Sequence, residues 1–260
     1  MIRSLLLRYG GNEYDRAALD VAKMLAESLG ARILGVSVLD ESSLGENIQA
    51  VQTLEETKQE ALNGLEKQCE EWGIRCRTRL LVGDLVEEIC IEGEKTDLIV
   101  LGAPPLETAG EDDARAEAAR KIVKQAKKPV FVVRPGHEQI KKILVGCDGS
   151  SRAGHALELA AAIAEKVGAM ILLLNVSSDP TTGGPILSCA KSYLENYDVK
   201  TKAMLIDGDP AEAILDVAEV RKCDLVVIGA TGHGTIKDLL FGSTATTLVD
   251  SGHSSLLVYW

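Results

Sequence analysis

The chain has 260 residues, with 39 acidic and 28 basic side chains, a net charge of −11 and a pI near 5.0. Hydrophobic residues make up 46% of it, which is enough for a globular core and argues against intrinsic disorder. The first 135 residues carry 18 basic against 24 acidic side chains and the remainder 10 against 15, so neither part has the basic surface typical of nucleic-acid binding. Because no apolar run has the roughly 18–20 residues of a membrane span and no signal-peptide core follows Met1, we expect no membrane partner and a cytoplasmic location.

The six cysteines are spread along the chain and contain no C-x-x-C pair: Cys69, Cys76, Cys90, Cys147, Cys189 and Cys223. They are not clustered with the four histidines. Neither a metal site nor a disulfide framework is expected, and the thiols are predicted to be reduced and buried.

The two halves of the chain repeat one another. Leu5 to Val38, LLLRYGGNEYDRAALDVAKMLAESLGARILGVSV, aligns without a gap on Ile143 to Val176, ILVGCDGSSRAGHALELAAAIAEKVGAMILLLNV. The match resumes where LVGD at 81–84 answers IDGD at 206–209, and where DLIVLGA at 97–103 answers DLVVIGA at 224–230. Such self-similarity predicts two copies of one domain, at 1–135 and 140–260, joined by residues 134–139.

In the first copy, a long polar helical pattern runs from about Ile48 to Trp72. The second copy has a much shorter helix near 187–196 instead, after a Pro- and Gly-containing segment at 179–185. Its aliphatic runs predict strands near 141–146, 170–176, 200–206, 224–229 and 255–259. Between them, Gly168 reads as a helix stop, and Asp209-Pro210 as the start of a helix through Ala218.

Alternation of short aliphatic runs with helical stretches is typical of βαβ units. The continuous aliphatic character of the runs fits strands that helices cover on both faces. We therefore expect an α/β fold with a parallel sheet in each copy.

Ligands of open parallel sheets bind beyond the carboxyl ends of the strands. There the second copy has the loop Gly229-Ala230-Thr231-Gly232-His233-Gly234, followed by Gly242-Ser243-Thr244 at the start of the last helix. Glycines allow close backbone approach, and a helix N-terminus offers N–H groups to phosphate. A tight turn and a simple N-cap are the alternatives. No G-x-x-x-x-G-K-[ST] or G-x-G-x-x-G pattern is present.

The spacing of Gly229, Gly232, Gly242 and Ser243 resembles the ATP-binding pattern of the universal stress protein family. ILVGCDGS at 143–150 and Gly208-Asp209-Pro210 resemble the same family. The resemblance implies two tandem doubly wound five-stranded domains with strand order 3-2-1-4-5, adenine nucleotide alpha hydrolase-like, and a regulatory stress-response role. It implies that ATP, with AMP or ADP as alternatives, is held with Mg²⁺ by Gly146, Cys147, Asp148, Val176, Gly229, Gly232, His233, Gly234, Gly242, Ser243 and Thr244.

For three of these residues, the sequence alone gives no support for a chemical role. Asp148 lies in an Asp-Gly-Ser turn and could serve capping alone. His233 has no nearby nucleophile or acid to support general-base duty, and nothing identifiable lowers the pKa of Cys147. No catalytic residue is therefore assigned.

The first copy lacks the pattern. Arg8-Tyr9-Gly10 replaces Gly146-Cys147-Asp148, and Pro104-Pro105 follows the fourth strand, so a backbone N–H donor and glycine freedom are lost. Arg115-Ala116-Glu117 stands near the position of Gly242-Ser243-Thr244, beside Glu111, Asp112 and Asp113, whose charges would repel phosphate. Binding of another ligand through Arg8 or Arg115 is the alternative.

Three functional classes stay open from the sequence. They are an ATP-binding regulatory protein, a slow ATPase using Asp148 and Lys237, and a nucleotide-independent scaffold. An exposed apolar edge strand invites pairing. We therefore expect an intramolecular pseudo-dimer through VFVV at 130–133 and LLVY at 256–259; a homodimer of whole chains also stays open.

Overall fold

The computed structural model describes residues 2–40, 48–104, 114–137, 139–230, 241–251 and 254–260. These residues divide into two compact units, one of residues 2–104 and 114–135 and the other of residues from 136 onward, here called the first and second repeats. Among the described helices, none combines the length and apolar character of a membrane span.

In its described residues, the first repeat has a parallel five-stranded sheet and four helices. Its strands are β1 (Ser4–Arg8), β2 (Arg32–Asp40), β3 (Cys76–Gly83), β4 (Leu98–Gly102) and β5 (Val130–Val133). Its helices are α1 (Glu13–Leu29), α2 (Ile48–Glu71), α3 (Leu85–Gly93) and α4 (Ala114–Gln125). The strands lie in the order β3-β2-β1-β4-β5.

The second repeat has the same architecture. Its strands are β6 (Lys142–Gly146), β7 (Met170–Val176), β8 (Thr201–Ile206), β9 (Leu225–Gly229) and β10 (Ser255–Tyr259), in the order β10-β9-β6-β7-β8. Its helices are α5 (Ser151–Val167), α6 (Pro180–Leu194), α7 (Pro210–Arg221) and α8 (Ser243–Ser251). Counted within each repeat, both sheets have the expected order 3-2-1-4-5, so the predicted α/β fold class is confirmed.

The first helix of each repeat has the same signals at its two ends. The side chains of Asn12 and Ser150 accept hydrogen bonds from the N–H groups of Asp15 and Ala153, which would otherwise lack partners at a helix start. At the other end, Gly30 and Gly168 are left-handed, with φ of 67° and 71°. Glycine adopts this conformation at no steric cost, so α5 ends at Gly168 as the sequence predicts, and α1 ends in the same way at Gly30.

Helix α6 is longer than the sequence pattern suggests. The segment at 179–185 was expected to precede the helix, but α6 begins at Pro180 and contains Pro185. The side chain of Asp179 accepts a hydrogen bond from the N–H of Thr181. Pro180 occupies the first helical position, where the missing N–H of proline costs no hydrogen bond, so the helix begins there. Pro185 lies inside the helix and removes one of its backbone hydrogen bonds.

The fourth strand of each repeat ends against the first turn of that repeat's first helix. A Cβ on Gly102 would lie 2.0 Å from the carbonyl oxygen of Tyr14, and a Cβ on Gly229 would lie 2.9 Å from the Cβ of Arg152. Real Cβ atoms do not approach other atoms this closely. Only glycine at the end of the strand therefore allows the start of the helix to lie directly beside that strand.

This contact predicts a large cost for a single methyl group. Replacing Gly102 with alanine should lower the free energy of unfolding by about 2–3 kcal/mol, because the methyl group would clash with backbone atoms that cannot rotate away. Gly64, in the interior of α2, has open space around its Cα, so Gly64→Ala should stabilise by up to about 1 kcal/mol. Urea unfolding followed by circular dichroism compares the two variants, and equal shifts of the midpoint would contradict the packing constraint.

Candidate nucleotide site

The exit of β6 is held to the neighbouring strand by two hydrogen bonds. The N–H of Cys147 donates to the carbonyl of Leu174 at 2.8 Å, which extends the pairing of β6 with β7 by one residue. The side-chain Nδ2 of Asn175 donates to the carbonyl of Cys147 at 2.6 Å. The backbone that leads into Asp148 is thereby fixed at the carboxyl end of the sheet.

Asp148 lies in a short turn before α5. Its Oδ1 accepts a hydrogen bond from the N–H of Ser150 at 2.9 Å, and Gly149 between them has φ of 83°. Ser150 in turn caps α5. Asp148 thus stabilises the turn that leads to the cap, and Ser150 is the capping residue itself. The side chain of Asp148 is only half-buried, so its carboxylate is accessible to a ligand as well.

The exit of β9 is closed by the chain that returns into α8. The N–H of Ala230 donates to the carbonyl of Tyr259 at 2.7 Å, and the N–H of Gly242 donates to the carbonyl of Ala230 at 2.8 Å. Gly242 thus lies directly beside the end of β9. The next residue, Ser243, begins α8, as the sequence predicts.

The ends of β6 and β9 lie side by side where the connections after the two strands run in opposite directions. The connection after β6 leads to β7 on one side and the connection after β9 leads to β10 on the other. Right-handed crossovers therefore place α5 and α8 on opposite faces and leave a crevice between the two strand ends. Gly146, Gly229 and Gly242 line its backbone, with Val176 at the end of the adjacent β7.

Gly232, His233 and Gly234, as well as Lys237, lie outside the described residues. Their predicted places in the site stay predictions.

The crevice offers groups suited to an anion. The first N–H groups of a helix have no partner within it and carry partial positive charge, and the start of α8 supplies these together with the exposed Ser243 and the half-buried Thr244. Within the described ranges, no three His, Cys, Asp or Glu side chains are grouped so as to hold a metal ion. The donors at the start of α8 are backbone amides and the hydroxyls of Ser243 and Thr244.

In the first repeat, a buried carboxylate occupies the corresponding strand exit. Asp15 is fully buried, and its two oxygens accept hydrogen bonds at 2.8 Å from Nη1 of Arg8 and from the N–H of Gly10. By the repeat alignment, Gly10 stands where the second repeat has Asp148. The N–H group that follows the first strand is thus satisfied within the protein, and Arg8 is committed to an ion pair.

The comparisons with known proteins agree with this architecture. The model of the universal stress protein family matches residues 1–134, 139–188 and 184–259. The chain belongs to the universal stress protein family. Universal stress protein MJ0531 of Methanocaldococcus jannaschii is 29% identical over 146 residues, which is 49% of this chain and 86% of that protein. A universal stress protein of Thermus aquaticus is 35% identical over 125 residues, 42% of this chain and 90% of its own.

The fold of the whole chain also has a solved counterpart. A crystal structure of a universal stress protein from Archaeoglobus fulgidus covers 98% of this chain and 97% of its own, with a TM-score of 0.80 and 21% identity. At this identity the likeness concerns the fold, and it extends over both repeats of the present universal stress protein.

Asn175 is a site residue that the sequence reasoning missed. It is buried at the end of β7, and its amide links β7 to the loop that carries Asp148. A signal was available, because it is the one polar residue in the aliphatic run MILLLNV at 170–176. A buried polar side chain needs a hydrogen-bond partner, and here that partner belongs to the predicted site.

The cysteines of this universal stress protein differ in exposure. All six are free, but Cys189 is exposed, so the expectation of buried thiols is wrong there. Burial, with a smaller contribution from the nearby charge of Asp148, raises the pKa of Cys147 to about 12. The thiol therefore stays protonated and closed to reagents in the folded protein.

This difference predicts selective labelling. At about pH 8, near the ordinary thiol pKa, iodoacetamide should alkylate Cys189 readily and leave Cys147 unmodified, because the thiolate is the reacting species. Peptide mass spectrometry at successive times gives the two rates. Labelling of unfolded protein, in which both cysteines should react, is the control. Equal rates in the folded protein would contradict the burial of Cys147.

Proposed function

We propose that the second repeat binds one adenine nucleotide, with ATP as the preferred ligand, and that nucleotide occupancy serves a regulatory role in a stress response. The proposal combines family membership with the chemistry at the strand exits. ATP, Mg²⁺ and the regulatory role are inferences from the family's binding pattern in this sequence.

One observation carries the proposal. The hydrogen bond from Gly242 to Ala230 brings the start of α8 against the end of β9. N–H groups of a helix start that face the crevice of an open parallel sheet are the common arrangement for binding phosphate. Adenosine would then lie toward Asp148 and Val176, which are the positions that the family resemblance assigns to it.

The two repeats should differ in this activity. In the first repeat, Asp15 already accepts the N–H of Gly10 and pairs with Arg8, so neither donor is available to a phosphate. Pro104-Pro105 removes backbone donors after β4. One nucleotide per chain is therefore expected.

Local donors must outweigh the charge of the whole protein. With a net charge of −11, the chain does not attract ATP over long distances. Backbone N–H groups, Ser243 and Thr244 would hold the phosphates, and Mg²⁺ would reduce the repulsion by binding phosphate oxygens.

We also propose that the protein acts in the cytoplasm.

Pairing of the two repeats through residues 130–133 and 256–259 stays a prediction of the sequence.

A charge placed at the start of α8 should abolish most of the affinity. Gly242→Asp adds a side chain and a like charge where phosphate is expected, so the ATP dissociation constant should rise at least about thirtyfold, which corresponds to about 2 kcal/mol. Isothermal titration calorimetry with Mg-ATP measures it, with an expected stoichiometry of one. Ala114→Asp, which places the same charge on an exposed residue at the start of α4, is the matched control.

Thermal unfolding of each variant checks that it is folded. A stoichiometry near two, or unchanged affinity in folded Gly242→Asp protein, would refute the assignment.

A further inference from the structure

A cavity lies in the first repeat, away from the carboxyl ends of the strands. It has a volume of about 680 Å³ and lies between β2, the outer strand β3 and the end of α3. Cavities of roughly 300–1,000 Å³ are typical of sites for small molecules. Its size therefore fits a small organic ligand.

The strand register shows which face of the sheet the cavity uses. Gly35 pairs with Thr78, and a Cβ on Gly35 would meet Leu65 of α2, so this pair faces α2. Side chains alternate between the faces of a strand. Leu34 and its register partner Arg77 must therefore face the opposite side, where α3 packs against β2 and β3.

The cavity gathers cationic side chains in a protein that is acidic as a whole. Five cationic residues and one carboxylate line it: Arg32, Arg75, Arg77, Arg79, Lys95 and Glu92. Arg79 and Lys95 bind Oε1 of Glu92 at 2.8 and 2.7 Å. In the part of the chain that the structure describes, the guanidinium groups of Arg32, Arg75 and Arg77 form no ion pair. Their charges therefore remain available to an anion.

Glu92 holds two of these cations at the cavity. Glu92 is only 5% exposed, and its Oε2 is buried with no hydrogen-bond partner among the described residues. Burial alone would raise the pKa of Glu92, but the hydrogen bonds from Lys95 and Arg79 lower it overall. Because Oε2 has almost no accessible surface, a ligand in the cavity does not reach it. Glu92 therefore acts on the cavity through Arg79 and Lys95, which it holds, and the arginines without an ion pair are the groups left for an anion.

The second repeat shows that the fold does not require this arrangement. At the corresponding register positions, Met204 replaces Arg79 and Lys202 replaces Arg77. Eight residues after the helix-capping aspartate, the second repeat has the buried Val217 instead of Glu92. An apolar pair thus stands where the first repeat has a buried ion pair. The charged residues are therefore a feature of this cavity, and the fold forms without them.

We propose that the cavity between β2, β3 and α3 binds a small organic anion that carries at least two phosphate or carboxylate groups. Arg77 on β3 and Arg75 just before that strand lie two residues apart on one face, about 7 Å along the extended chain, so their guanidinium groups engage separate anionic groups. This site is independent of nucleotide binding by the second repeat.

Two probes distinguish the sources of the anionic groups. Fructose 1,6-bisphosphate presents two phosphates with hydroxyls, and citrate presents three carboxylates with one hydroxyl. Calorimetric titration of the nucleotide-free full chain in low salt measures each probe, with fructose as the uncharged control. Saturable binding of either anion that weakens as salt rises is expected, and the stronger probe identifies the preferred group.

Matched variants locate the binding. Arg77→Gln removes an exposed charge without an ion pair, so the protein should stay folded and bind the probe at least tenfold more weakly. Lys202→Gln, at the same register position of the second repeat, should not change the affinity. The Gly242→Asp variant should bind the probe as the parent does, which separates this site from the nucleotide site. No saturable binding of either anion up to about 1 mM, a range that still detects weak sites, or equal affinities in Arg77→Gln and Lys202→Gln, would overturn the proposal.

Discussion

The close approach of the fourth strand to the first helix is the constraint on which both repeats depend. At Gly102 and Gly229 the strand end lies so near the first helical turn that no side chain fits between them. The contact holds the start of the helix beside the strand ends. In the second repeat it thereby forms one wall of the crevice, and the hydrogen bond from Gly242 to Ala230 closes the other side.

The same scaffold carries different chemistry in its two copies. In the second repeat, the exit of β6 presents the half-buried carboxylate of Asp148, and a helix start lies across from it. In the first, Asp15 lies inside the protein and satisfies Arg8 and Gly10 at the corresponding exit. Its cations lie instead on the face of β3, around the buried Glu92. A duplicated domain can diverge in this way because packing fixes its core and leaves the strand ends and outer strands free to change.

Helix α6 and Asn175 show where reading the sequence reached its limit. Prolines and glycines at 179–185 indicated a loop, yet a proline at the first helical position costs no hydrogen bond, so the helix starts there. Asn175 stood out as a polar residue in an aliphatic run, but its partner, the carbonyl of Cys147, is 28 residues away. Local propensity carries no information about such a distant contact.

The sequence by itself determined the duplication, the parallel α/β fold and most strand limits, because aliphatic periodicity and capping residues act over a few neighbouring positions. It also marked Gly229 and Gly242 as positions where glycine would let the backbone approach a ligand closely. Only the tertiary structure decided which side chains meet: that Asp15 fills the strand exit of the first repeat, and that arginines from β2 and β3 gather beside Glu92 of α3. These groups are far apart in the chain, and the register of the strands and the packing of a helix against them set the distances between their charges.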